Sequence, residues 1–143
     1  MKNYMLSLLV AFSLTSAVYA QKAKSSDVPV VVKTALQKKY PNAKGVKWEN
    51  EKGNFEANWG GKSGEDNSVL FTPSGEFVEQ VKAISVSQLP KSVIVYVKEH
   101  YKGAKITEAG RVTDARGKTF FEVEVNRKDV IFDENGNFVK VED

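Results

Sequence analysis

The chain has 143 residues, 41% of them hydrophobic and 27% charged, with a formal net charge of +3 and no cysteine. That length and composition fit one ordinary globular domain, and the missing cysteines exclude disulfides, thiolate metal sites, cysteine nucleophiles and lipid attachment at an N-terminal cysteine. Lys and Arg are scattered among Asp and Glu without a basic block, so the positive balance reads as solvated surface, not as a nucleic-acid footprint.

Met1–Ala20 has the layout of a secretory signal. Lys2 supplies the positive start, residues 5–14 the apolar stretch, and Ser16-Ala17-Val18-Tyr19-Ala20 the small-residue cleavage region. The apolar stretch is too short to span a bilayer as a mature helix, so no membrane insertion is expected after cleavage. Residues 21–26 are small and polar and read as a flexible leader.

A helix follows, with Asp27 or Ser26 as its cap and Pro29 in its first turn, where a missing N–H is harmless. Val32, Ala35, Leu36 and Tyr40 fall at helical spacing and Pro41 ends the run. The β-branched run Val30-Val31-Val32 argues for a strand, but periodicity outweighs propensity. The pattern then changes to period two. Strands are expected near 46–50, 55–60, 68–72 and 76–84, separated by 51–54, the glycine-rich stretch 60–66, and Pro73-Ser74-Gly75.

The same series then recurs. Pro90, Tyr101, Ala104, Gly136 and Phe138 each stand 61 positions after Pro29, Tyr40, Ala43, Gly75 and Phe77. A fixed offset held over some fifty residues sets the architecture. The second helix carries Val93, Val97 and Tyr101 four apart and has Gly103 to close it. Its strands are expected near 106–113, 119–125, 129–133 and 137–142. Phe121-Glu122-Val123-Glu124-Val125 is the clearest alternation, with apolar residues on one face and carboxylates on the other.

Each unit therefore reads α-β-β-β-β. The fold class is α+β: two tandem repeats, 27–86 and 87–143, in one domain 27–143. Its antiparallel sheet of about eight strands carries both helices on one face. A single copy of about 60 residues would be marginal alone, so the repeats are expected to share one core. The other face is left open to solvent or to a partner.

Candidate chemistry is sparse. His100 is the only histidine, so serine–histidine hydrolysis and histidine-based metal binding lack partners. Gly61-Lys62-Ser63 lacks the earlier glycine of a phosphate loop and belongs to a polar hairpin loop. Asp133-Glu134-Asn135-Gly136 opens like a calcium loop, but Phe138 and Val139 interrupt the acceptors, which leaves a turn with glycine at a left-handed position. No catalytic, cofactor or metal residue is assigned. Glu122 and Glu124 share a strand face and would serve as acid and base only if a pocket shifted one of them; without one they read as a solvated stripe. Phe120 points opposite Phe121, onto that carboxylate side, and is the local hint of a contact surface. Lys62 and Arg116 join Phe120, Glu122 and Glu124 as candidate partner contacts, because they sit in the two stretches, 60–66 and 113–118, where the repeats differ most.

These features resemble the PepSY-like proteins, also called β-lactamase-inhibitor-like (BLIP-like). The shared features are a signal peptide, two units of about sixty residues with helix-Tyr-(Pro)-x-Ala-Lys, an aromatic-Glu-x-x strand, and an Asp/Ser-x-Gly-x-Phe-Val hairpin. The resemblance covers about 27–143. It implies a curved antiparallel sheet backed by helices, export to the periplasm or beyond, and no shared catalytic motif. Related modules are thought to restrain peptidases, and the inhibitor of similar fold grips its enzyme with its open sheet face. No counterpart of that inhibitor's enzyme-plugging loops is visible here. The resulting expectation is a non-catalytic periplasmic or secreted module that docks a protein or peptide through the open face. The alternative is an envelope protein holding a small ligand or ion in a pocket between sheet and helices.

Overall fold

The structure, a computed structural model, describes residues 21–142; the expected signal segment lies outside the described residues. Nine strands form one antiparallel sheet in sequence order. They are β1 (Gln21–Ala23), β2 (Lys47–Glu51), β3 (Asn54–Trp59), β4 (Asn67–Phe71), β5 (Phe77–Ala83), β6 (Ile106–Asp114), β7 (Thr119–Val125), β8 (Lys128–Asp133) and β9 (Phe138–Glu142). Two helices, α1 (Val30–Lys39) and α2 (Lys91–His100), precede β2 and β6. Among the described residues no helix is long and apolar enough to cross a membrane.

The expected architecture holds, with two corrections to its start. Gln21–Ala23 is not a free leader but a short edge strand: Ala23 pairs with Trp48 and Gln21 with Asn50. Its position repeats the end of β5, where the Ile84 N–H donates to the Ala109 carbonyl (2.9 Å). Residues 84 and 109 lie 61 beyond 23 and 48, so the structural repeat begins before the first helix. The helix cap also differs. Ser25–Asp27 forms a separate 3-10 turn, and Pro29 itself stands at the N-cap of α1. Pro90 does the same for α2. Both valine-rich runs are helical, with Val32 and Val93 buried and Val30 and Val95 turned outward.

Antiparallel register carries the two faces across the sheet. Trp48, Ala57, Val69 and Phe71 pack beneath Val32 and Leu36 of α1. Phe121, Val123, Val125, Val130 and Phe132 pack beneath Val93 and Val97 of α2. The helix face is continuous, since Lys82 pairs with Arg111 and Arg111 with Phe121. Even so, the repeats do not share one core. The buried apolar residues of the helix face form two separate clusters, one per repeat. The cause lies at the repeat junction: β5 and β6 present Gln80, Lys82, Arg111 and Thr113 to the helix side, and the Tyr40 hydroxyl donates to Gln80 Oε1 there (3.0 Å). Polar side chains cannot continue an apolar core without losing their hydration.

The Asp133–Gly136 turn shows how the hairpins close. Asp133 Oδ1 accepts the backbone N–H groups of Asn135 and Asn137, each at 2.9 Å. Gly136 takes a left-handed φ of +79°, as glycine does at low steric cost. These bonds hold the Asp133 carboxyl below the usual range, the Asn137 side chain and backbone contributing most. The carboxylate is thus occupied as a turn cap.

Candidate functional site

Strand alternation leaves one sheet face without a covering element among the described residues. Register places Glu49, Glu56, Leu70, Glu79 and Asp114 in one row across β2–β6 of that face. A second row crosses β6–β9: Glu108, Glu124, Asp129 and Glu142 stand opposite one another in succession. Between the acidic stretches lies an apolar centre. Because β5 and β6 turn their polar residues to the helices, Val81 and Val112 point the other way, beside Phe120 and Ile131. Val112 and Ile131 are buried at 7% and 8% exposure without a helix over them.

Curvature makes this burial possible. Glu51 on β2 and Glu142 on β9 are far apart in strand order, yet the Glu142 carboxylate acts on Glu51 and helps burial raise it above its ordinary value. One cleft is lined both by Ser63, Glu65 and Asp66 of the β3–β4 loop and by Asp129 of β8, and Val112 and Ile131 are buried with no helix over them; the sheet curls around this face, which is concave. Burial likewise raises Glu79 and Asp129, with neighbouring carboxylates adding to the effect. Glu122 is pushed furthest, to about 7: burial contributes most, followed by Asp129, Glu79, Glu142 and Glu51. Low local polarity and like charge both disfavour an ionised carboxylate.

Glu122 lies in a cleft of about 420 Å³ at the repeat junction. Val81, Ala83 and Ile84 form its apolar side; Glu108, Glu122, Glu124 and Asp129 form its acidic side; Ser63, Glu65 and Asp66 of the β3–β4 loop close its rim. That loop is tied down by the Ala83 N–H donating to the Asp66 carbonyl (2.9 Å). Gly110 pairs with Ala83 on one side and Glu122 on the other. A Cβ there would come within 2.7 Å of Val81 Cγ1, so glycine is what lets the Val81 methyl pack against the cleft floor.

The sequence candidates separate into two groups. Phe120, Glu122 and Glu124 share the concave face, and the Lys118 ammonium sits 5.0 Å from the Phe120 ring centre. Glu124 accepts a hydrogen bond from Thr107 Oγ1 (2.6 Å). Lys62 is exposed in the β3–β4 loop, while its neighbours Ser63, Glu65 and Asp66 line the cleft. Arg116 is exposed in the β6–β7 turn, 3.6 Å from Asp114, away from the cleft lining. Glu122 is no simple member of a solvated stripe, since a pocket does surround it. Sequence reasoning did not single out Glu79, Glu108 or Asp129, whose shared face depends on register between strands.

Other possible sites are slighter. A groove of about 240 Å³ runs between α1 and β2, lined by Leu36, Tyr40, Val46 and Trp48 among others. His100 stacks on Tyr96 (centroids 3.9 Å apart) and its Nδ1 lies 2.9 Å from the Tyr96 carbonyl. Among the described residues, no three His, Cys, Asp or Glu side chains converge on a point that would hold a metal ion; the carboxylates are spread along the face.

Solved structures of similar fold come from Bacteroides. One is a putative periplasmic protein of Bacteroides eggerthii DSM 20697, with a TM-score of 0.68 and 21% identity over 80% of this chain and 88% of that one. A DUF2874 family protein of Bacteroides uniformis ATCC 8492 has a TM-score of 0.67 and 23% identity over 79% and 87%. A BLIP-like protein of Bacteroides fragilis NCTC 9343 has a TM-score of 0.61 and 24% identity over 79% and 84%. At these identities the likeness is one of fold. No curated protein matches the chain. The family model described as "Putative beta-lactamase-inhibitor-like, PepSY-like" matches residues 18–78 and 58–140. These matches span both repeats, and the chain belongs to this PepSY-like family.

Proposed function

We propose that the protein is a non-catalytic module of the periplasm or cell exterior that docks a protein or peptide on its concave sheet face. One observation carries this reading: at the repeat junction the strands turn Val81 and Val112 toward the uncovered face and their polar neighbours toward the helices. Val81 and Phe120 are half-buried and Val112 is buried on a face that no described element covers, and a contiguous apolar centre rimmed by charge is the form of an interaction surface. The PepSY-like family match and the fold shared with a BLIP-like protein support the reading. The signal-like Met1–Ala20 and the fold shared with a putative periplasmic protein support the location.

Photocrosslinking in cells tests the reading. A photoreactive aromatic residue replacing Phe120 on the concave face is expected to give a discrete heavier adduct. The same residue replacing Val95, exposed on α2, is expected to give none. Adducts at neither position, or equal adducts at both, would overturn it.

A further inference from the structure

The concave face runs against the charge of the whole molecule. The chain carries +3 overall, yet the uncovered face collects carboxylates from β2, β3, β5, β6, β7, β8 and β9. Several stand directly opposite one another: Glu49 faces Glu56, Glu108 faces Glu124, and Glu124 faces Asp129. Like charges opposed across strands destabilise a sheet. Some basic residues do reach this face, with Lys22 opposite Glu49, Lys140 paired with Glu142 and Lys118 over Phe120, while others are placed elsewhere, such as Lys33, Lys38 and Lys39 on α1 and Lys82 and Arg111 on the helix side of the junction.

Resting on the docking reading above, we propose that the occupant of the concave face is a basic segment of a partner protein, an extended peptide bearing lysine or arginine. One of its cationic side chains enters the cleft beside Glu122. The cleft has both halves of what such a side chain requires. Val81, Ala83 and Ile84 would cover the aliphatic stem, and Glu108, Glu124 and Asp129 would receive the charged head. The four-carboxylate row crosses four strands, which at about 4.8 Å between neighbours spans roughly 14 Å. Charges spread over that length match successive cations along a peptide; a single metal ion requires ligands gathered at one point.

Binding of synthetic peptides to the mature chain, followed by fluorescence anisotropy above neutral pH, tests the assignment. The probes are a short alternating Lys–Thr peptide, its Glu–Thr counterpart, and spermidine. The Lys–Thr peptide is expected to bind, more weakly as salt rises, and the Glu–Thr peptide not to bind. The double variant E124Q/D129N is expected to weaken the Lys–Thr peptide by about tenfold or more. It removes like-charge repulsion, so its thermal midpoint should not fall. The double variant E99Q/E134Q, with the same charge change away from this face, should bind as the parent does. No binding, equal binding of both peptides, equal loss in the two variants, or spermidine binding as tightly as the peptide would each overturn the assignment. If Phe120-position adducts still form in cells while the Lys–Thr peptide fails, docking stands and the basic occupant falls.

Discussion

Glu124 of β7 stands directly opposite Asp129 of β8, and the row continues to Glu108 on one side and Glu142 on the other. At its β9 end Lys140 is paired with Glu142. Asp129→Asn should therefore stabilise the free protein by about 0.5–1 kcal/mol, the size of an opposed like-charge pair. Urea unfolding at low ionic strength measures it. The gain should shrink as salt rises, because screening relieves the parent protein of the same repulsion. A destabilised D129N would show that Asp129 is held by favourable contacts instead.

Glu122 sets a pH dependence of definite sign. Its carboxyl is raised from 4.5 to about 7 in the folded state, so between those values the folded chain binds more protons than the unfolded one. Stability must then fall as pH rises from about 4.5 to 7 and level off above. After allowance for solvent screening, the loss from this group is about 2 kcal/mol. The groups acting on it come from several strands: Asp129, Glu79, Glu142 and Glu51, with Lys140 opposing the rise at Glu79. Glu122→Gln should flatten the slope and raise stability at pH 8, as read from thermal midpoints across pH. An unchanged slope in E122Q would contradict the burial of this carboxylate.

Both helices and eight of the nine strands were legible in the 61-residue spacing and in alternations such as Phe121–Val125. Three features were not, each for a physical reason. β1 spans three residues with no apolar alternation, so nothing local marks Gln21-Lys22-Ala23 as a strand; only its place 61 before Lys82-Ala83-Ile84 does. The division of the core follows from β5 and β6, where the apolar residues Val81 and Val112 face away from the helices, contrary to the usual reading of which face is buried. The acidic row depends on a bulge. Strict alternation would put Glu108 on the same face as Ile106, which packs against the α2 cluster. The register shift between them turns Glu108 to the open face instead. Bulges leave no dependable mark in a single sequence.

The divided core predicts independent mutational effects. Phe71 belongs wholly to the α1 cluster and Phe132 to the α2 cluster, exposed at 1% and 0%. Phe71→Leu and Phe132→Leu should each cost about 1–2 kcal/mol through lost packing. The double variant should equal the sum within about 0.5 kcal/mol, as for sites without shared partners. Denaturant midpoints of the four proteins complete the cycle. A coupling well above that limit would mean the two halves act as one packed core after all.

Two turn glycines separate backbone strain from crowding. Gly117 and Gly136 share a φ of +79°, where side chains are disfavoured. A Cβ at Gly117 would meet nothing within 4 Å, whereas at Gly136 it would collide with Ser92 Oγ and lie 2.9 Å from Pro90 Cβ. Gly117→Ala should therefore cost about 1 kcal/mol, the backbone contribution alone. Gly136→Ala should cost clearly more, because it also pushes on the first turn of α2, where the Ser92 hydroxyl donates to the Asn135 carbonyl (3.2 Å). Adding Ser92→Ala to G136A should recover part of the excess and leave G117A unaffected. Equal costs for the two glycine variants would show that the β8–β9 turn yields freely and does not hold α2 in place.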